Sequence, residues 1–369
     1  MKRSLSVKLA AGMIALSVAA CNNNEQTPGT TTPASTLDTT ALKPVVITEK
    51  VFDDSDDPAI WINPANSDSS LVIGTDKNSE NGGLYVFRLD GKIDRQRSVT
   101  GLHRMNNVDI AYALPVGDST VDIAVATERD LNSIRVFSLP AMKAIDGGGI
   151  EVFKNDSVRS PMGVALYTRP SDKAIFAIVS RKSGPAEGYL EQYQLKDNGK
   201  GKVVGELIRK FGKYSGKKEI ESIAVDNELG YVYYSDEQVG IRKYYADPQR
   251  GNEELALFGQ GQYKEDNEGI SIYKFPDGTG YILVSDQAAG KFNVYAREGN
   301  GGKPHEHSLI TSLQLSTEKS DGSDVTSVSL PGYPGGLFVA MSEGGFFQFY
   351  GWKQLAERGG LRVLEAGVK

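Results

Sequence analysis

The chain predicts an all-β fold, a six-bladed β-propeller of mostly four-stranded antiparallel blades. Three observations predict it: one element recurs six times, the copies are spaced by about 50 residues, and helical patterning is nearly absent. At 369 residues the chain is too long for one ordinary domain, yet no strong linker divides its main part. A large repetitive domain resolves that conflict.

The recurring element is an apolar strand that breaks into a polar tip. Its copies occupy residues 71–77, 123–129, 176–182, 231–237, 281–287 and 337–343. Each is followed by an amphipathic strand ending in an aromatic: Phe87, Phe137, Tyr193, Tyr244, Tyr295 and Phe349, at intervals of 50, 56, 51, 51 and 54. A polar cluster running into a third strand precedes each copy, at Asp56, Asn106, Met162, Glu221, Asp266 and Asp321. That strand is expected to line the central channel. The 41 glycines and 30 Tyr plus Phe suit short strands and tight turns. The one expected helix is terminal, over 352–358.

The N-terminus carries an address. Lys2, Arg3 and Lys8 precede an apolar run over 9–20, long enough for a signal peptide and too short to span a bilayer. The run ends Val18-Ala19-Ala20-Cys21, which resembles the lipobox of bacterial lipoproteins. That resemblance implies cleavage before Cys21, lipidation of its sulfur and, with Asn22 following, an outer-membrane destination. Residues 22–45 are rich in Thr, Asn, Pro and Ser and read as a flexible tether. The expected organisation is a signal peptide over 1–20, a lipidated cysteine and tether over 21–45, and the propeller over 46–369. Export with a lipid anchor, and no other membrane contact, is expected. Cys21 is the one cysteine, which excludes disulfides and thiolate metal sites within the chain.

The formal net charge of −6 argues against nucleic acid as a partner. If the repeated strands are equivalent, their tips surround one mouth. The tips then read Lys77, Arg129 and Lys182 on one side, and Glu237, Gln287 and Glu343 on the other. The starts of the inner strands add Asp56, Asp57, Asn107, Asp109, Glu221, Asp266 and Glu268. Crowded carboxylates repel unless cations share them, and hard cations such as Ca²⁺ take several oxygens. Lysine and arginine opposite them suit phosphate. Such a site would hold a polyanion between metals and cations, and in-line displacement at phosphorus by metal-activated water needs no side-chain nucleophile. Three readings stay open on these residues: a phosphatase or phosphodiesterase, a non-catalytic binding propeller, and a calcium lactonase, against which the cationic triplet argues. His305 and His307 form a spaced pair in a Gly- and Lys-containing loop, read as solvated.

The motifs resemble the β-propeller phytases. Asp56-Asp-Pro-Ala-Ile-Trp61 and Asn106-Asn-Val-Asp109 are similar to that family's first two motifs, and Asp266-Asn-Glu-Gly269 followed by Gly278-Thr-Gly-Tyr281 to a third. The resemblance covers about residues 50–355. It implies a monomeric, calcium-dependent phosphomonoesterase of 3-phytase type acting on phytate, with a cleavage site beside an affinity site. It implies catalytic roles for Asp56, Glu221, Glu237, Asp266 and Glu268, which with Gln287 would hold several Ca²⁺ ions. Lys77, Arg129 and Lys182 would bind phosphate. Asp57, Asn107 and Asp109 would hold a structural calcium, and Asp321 a further acidic position. Met162 stands where the family usually has tyrosine, and the lysine of the third tip is followed by Ser-Gly-Pro-Ala-Glu187 rather than an acidic pair.

Overall fold

The computed structural model describes residues 40–364. The expected signal peptide over 1–20, Cys21 and the tether up to residue 39 lie outside the described residues. Six antiparallel sheets follow one another along the chain, five of four strands and one of five. They are the six predicted blades. Their inner strands are Ser55–Trp61, Met105–Val116, Pro161–Thr168, Ile223–Asp226, Asn267–Lys274 and Ser323–Thr326. The second strands end at Asp76, Glu128, Arg181, Asp236, Asp286 and Ser342, and are almost wholly buried because a neighbouring blade covers each face. The outermost strand of blade 6 is Val46–Ile47, which pairs with Phe346–Gly351 and so closes the ring with the other end of the chain. Order begins before residue 46, where the sequence reading set the boundary. Ala41 is buried, and Leu42 exchanges backbone hydrogen bonds with Gln314 and Ser316 of blade 5. These two apolar residues interrupt an otherwise polar stretch.

The predicted helix is Trp352–Gly359, and it buries Trp352, Leu355 and Ala356, one face at helical spacing. The Trp352 ring stacks on Tyr273 of blade 5 at 3.6 Å.

Two backbone features shape the mouth. The first is a register shift in the inner strand of blades 1, 2, 3 and 5, between Ser55 and Pro58, Met105 and Val108, Pro161 and Val164, and Asn267 and Ile270. Such a bulge puts adjacent side chains in different directions and leaves a backbone N–H without a ladder partner. The second is the Ser/Thr one residue before the end of the second strand in blades 1 to 5, a place that Met341 takes in blade 6. In blades 1 to 3 its hydroxyl accepts the orphaned N–H: Asp57 to Thr75 at 2.8 Å, Asn107 to Thr127 at 3.1 Å, Gly163 to Ser180 at 2.8 Å. The same hydroxyl donates to the next blade, from Thr75 to Asn106, Thr127 to Met162, Ser180 to Ile220, Ser235 to Glu268 and Ser285 to Ser320. Each bond contributes about 1 kcal/mol net, and together they fix each blade against the next at the height of the mouth. Glycine is required at 163 for the same closeness: a Cβ there would lie 2.0 Å from the Glu221 carbonyl oxygen.

Candidate active site

Strand alternation splits every tip. The last strand residue turns away from the mouth: Glu128 pairs with Arg135 and Asp236 with Arg242 of their own blades, and Arg181 with Asp156 in the segment that leads into its blade. The next residue faces the mouth. Its backbone N–H donates to the carbonyl of the residue just before the inner-strand bulge in blades 1, 2, 3 and 5, and of the matching residue in blades 4 and 6: Lys77 to Asp54, Arg129 to Arg104, Lys182 to Ser160, Gln287 to Asp266, Glu237 to Glu219 and Glu343 to Glu318. This six-fold contact aligns the blades residue by residue. It equates Asp54-Ser-Asp56, Glu219-Ile-Glu221 and Asp266-Asn-Glu268 in blades 1, 4 and 5, against Arg104-Met-Asn106 and Ser160-Pro-Met162 in blades 2 and 3.

The acidic residues form one continuous arc. The Lys77 ammonium lies 2.7 Å from Asp321, 3.6 Å from Asp56 and 3.8 Å from Asp54. Gln287 donates to the other Asp321 oxygen at 2.5 Å. The Asn106 amide donates to both Asp56 and Glu221 at 2.9 Å and joins the two carboxylates across blade 2. Glu221 then meets Glu219 and Glu237, and Glu237 meets Asp266 and Glu268. Each of these two triads has oxygens within 4.8 Å of one another. Lys218 lies 2.6 Å from Asp266, 2.9 Å from Glu237 and 3.8 Å from Glu268.

Burial raises the cost of charge on this arc. It pushes Glu237 up to about 9, against the relief that Lys218 gives. It raises Glu268, Asp56 and Glu221 above the ordinary carboxylate range, with repulsion among them adding to the effect. Burial pulls the Lys77 ammonium down, and Asp56, Asp321 and Glu221 more than reverse that. Glu237 is 0% exposed, and neither of its oxygens accepts a hydrogen bond; nor does Oε2 of Glu268. An all-oxygen set of buried, unpartnered carboxylates fits a hard cation.

The other side of the mouth carries cations. The Arg129 guanidinium has no hydrogen-bond or ion-pair partner among the described residues. Arg104 is held at φ 57°, with its Nε buried and unpartnered. Lys182 is 49% exposed and pairs with Glu219 at 2.6 Å. Met162 is buried and offers the mouth only its carbonyl, which Thr127 already occupies.

The remaining expected ligands lie on the channel wall. Asp57 accepts a hydrogen bond from Val108 N–H at 3.3 Å, Asn107 from Val164 at 3.0 Å, and Asp109 from Leu166 at 2.7 Å. Each of these bonds crosses to the following blade, and none of the three residues belongs to either carboxylate triad. His305 and His307 are also not where the sequence reading put them. His307 is buried against Phe258, with its nitrogens at Ala296 and Lys243, because the loop folds back onto the aromatic face of blade 4. Sequence reasoning missed Asn106, Glu219, Lys218 and Arg104 as site residues. The acidic-x-acidic spacing shared by blades 1, 4 and 5 could have found Glu219. Lys218 sits beside Lys217 in a polar loop and carries no such signal.

A family model described as Phytase matches residues 3–346. A 3-phytase of Bacillus subtilis (strain 168) is 31% identical over 324 residues, which cover 83% of this chain and 81% of that protein. A six-bladed propeller whose mouth sets a carboxylate arc against free cations, matched over nearly its whole length, places this chain in the phytase family.

Proposed function

We propose that the chain is a calcium-dependent phytase of 3-phytase type, which releases phosphate from phytate at the mouth of the propeller. The observation that carries the calcium reading is Glu237, fully buried at the junction of two carboxylate triads, with Oε1 unpartnered among the described residues and Oε2 met only by the Lys218 ammonium at 2.9 Å. Asp56, Glu221, Glu237, Asp266 and Glu268 would hold the ions, with Asp321 and Gln287 at the edge. Asp57, Asn107 and Asp109 are assigned instead to holding blades together. Bound Ca²⁺ would supply charge neutralisation at the phosphoryl oxygens and acidify water. The protein's own part is positioning. Asn106 keeps Asp56 and Glu221 in one orientation, Lys77 balances Asp56 and Asp321, and Arg129 with Lys182 hold phosphate from the opposite side. The purified protein should release phosphate from calcium phytate, stop when a chelator is added and recover on Ca²⁺ addition. Undiminished turnover in excess chelator would remove calcium from this reading.

The apolar run that leads into Cys21 supports export and lipid anchorage of the enzyme. Labelled fatty acid should enter the wild-type protein and not the Cys21→Ala variant; equal labelling of both would refute the anchor.

A further inference from the structure

Lys218 occupies the place that a metal would take. Its ammonium sits among Asp266, Glu237 and Glu268 at 2.6, 2.9 and 3.8 Å, inside one of the two carboxylate triads. It supplies positive charge but does not satisfy the oxygens. The approach to Glu237 is an ion pair without hydrogen-bond geometry, and Oε1 of Glu237 and Oε2 of Glu268 stay unpartnered with Lys218 in place. An ammonium has three donors, whereas Ca²⁺ gathers six to eight oxygens. The two cations cannot share the triad, because each repels the other at contact distance.

The lysine is also placed to leave. Its backbone is tied down, since its carbonyl accepts the Tyr214 hydroxyl and Ile220, two residues on, is buried. Its side chain reaches in from the rim and is 35% exposed, so the ammonium can swing to solvent without the loop moving. Glu219, the next residue, belongs to the other triad, where Lys182 pairs with it alone at 2.6 Å, whereas Lys218 reaches all three acids of its own triad.

We propose that Lys218 is an internal competitor for the metal at the Glu237–Asp266–Glu268 triad, so that this position fills only when the ammonium withdraws. The inference rests on the calcium reading above and concerns one ion position within it. The triad would therefore be the weaker calcium position, and the Glu219–Glu221–Glu237 triad the tighter one.

The test is calorimetric titration of Ca²⁺ alone into the full-length protein, stripped of metal by chelator, for wild type, Lys218→Met and Lys218→Gln. Both variants should bind the weakest calcium at least roughly tenfold more tightly, or gain one ion where wild type leaves the triad to Lys218. The rise in melting temperature on adding calcium should be larger in the variants, because the metal-free triad has lost its counter-ion. Adding Glu237→Gln should erase the gain. Calcium binding in wild type with the same affinity and stoichiometry in both variants overturns the competition alone. If neither wild type nor the variants bind calcium, the metal reading itself falls.

Discussion

The mouth and the channel wall are built from the same residue types on the same strands, often from adjacent residues, yet they meet different fates. Asp56 and Asp57 are neighbours, as are Asn106 and Asn107. The first of each pair belongs to the carboxylate arc at the mouth. The second turns along the channel and accepts a backbone N–H from the next blade. The bulge in the inner strand makes the division, by setting two residues against one on the partner strand. The wall shows how a buried acid is satisfied by protein donors. The mouth shows what remains when it is not: Glu237 and Glu268 each have an oxygen that no group among the described residues reaches. Acidity alone does not separate the two regions; the supply of N–H donors does.

The comparison breaks most visibly under one pair of substitutions. Glu237→Gln should lower calcium-dependent phosphate release by about 100-fold or more, the upper end of what disturbing a metal's surroundings costs. Its melting temperature without metal should hold or rise, because a buried acid has gone. Asn107→Ala should do the reverse. It strands the Val164 N–H between blades 2 and 3 and should cost about 1–3 kcal/mol, with calcium affinity unchanged. Parallel calorimetry and denaturation decide it. A loss of calcium binding in Asn107→Ala would return the wall to the metal site.

What was legible in the sequence follows the same line. The six blades could be read because each must bury a central strand on both faces, which leaves an apolar run ending in Ser/Thr. In blades 1 to 5 that hydroxyl is the link to the next blade, so its recurrence marks structure as well as repeat. The acids of the mouth were legible as a group, and Arg129 stands apart from them, whereas Lys182 pairs with Glu219 of the arc. Lys77 does not fit the expected basic half, since it sits among Asp54, Asp56 and Asp321. The separation of Asp56 from Asp57 was not legible, because a bulge is a property of pairing between strands. Nor was the closing strand Val46–Ile47, two residues with no pattern of their own. Lys218 was invisible for a third reason: its neighbours come from blades 4 and 5 and meet it only in space.

The pH dependence of the metal-free fold sharpens the contrast. Burial raises Glu237 from 4.5 to about 9, and raises Glu268, Asp56 and Glu221 in the same direction. Between those limits the native state keeps a proton that the unfolded chain has released, so native stability falls as pH rises. Calcium binds the deprotonated groups and should remove that loss. Melting curves in chelator should therefore drop by several degrees between about pH 5 and pH 9, while curves in calcium stay flatter. Two parallel profiles would mean that the mouth acids are not the groups calcium neutralises.

The smallest expected effects belong to the cations facing the arc, and their order is set by what each already holds. The Arg129 guanidinium is free of partners among the described residues, so truncation removes a donor pair available to phosphate. Arg129→Ala should raise KM for phytate by roughly tenfold with a smaller change in kcat. Lys182 is half exposed and engaged with Glu219, so part of its charge is spent before substrate arrives, and solvent screens the rest. Lys182→Ala should raise KM only about two- to threefold. It also frees Glu219 from its counter-ion, so the same variant should bind calcium slightly more tightly even as it binds phosphate less well. Opposite movements of the two affinities in one protein are what a shared residue between the arc and the cationic side requires; a fall in both would place Lys182 on the phosphate side alone.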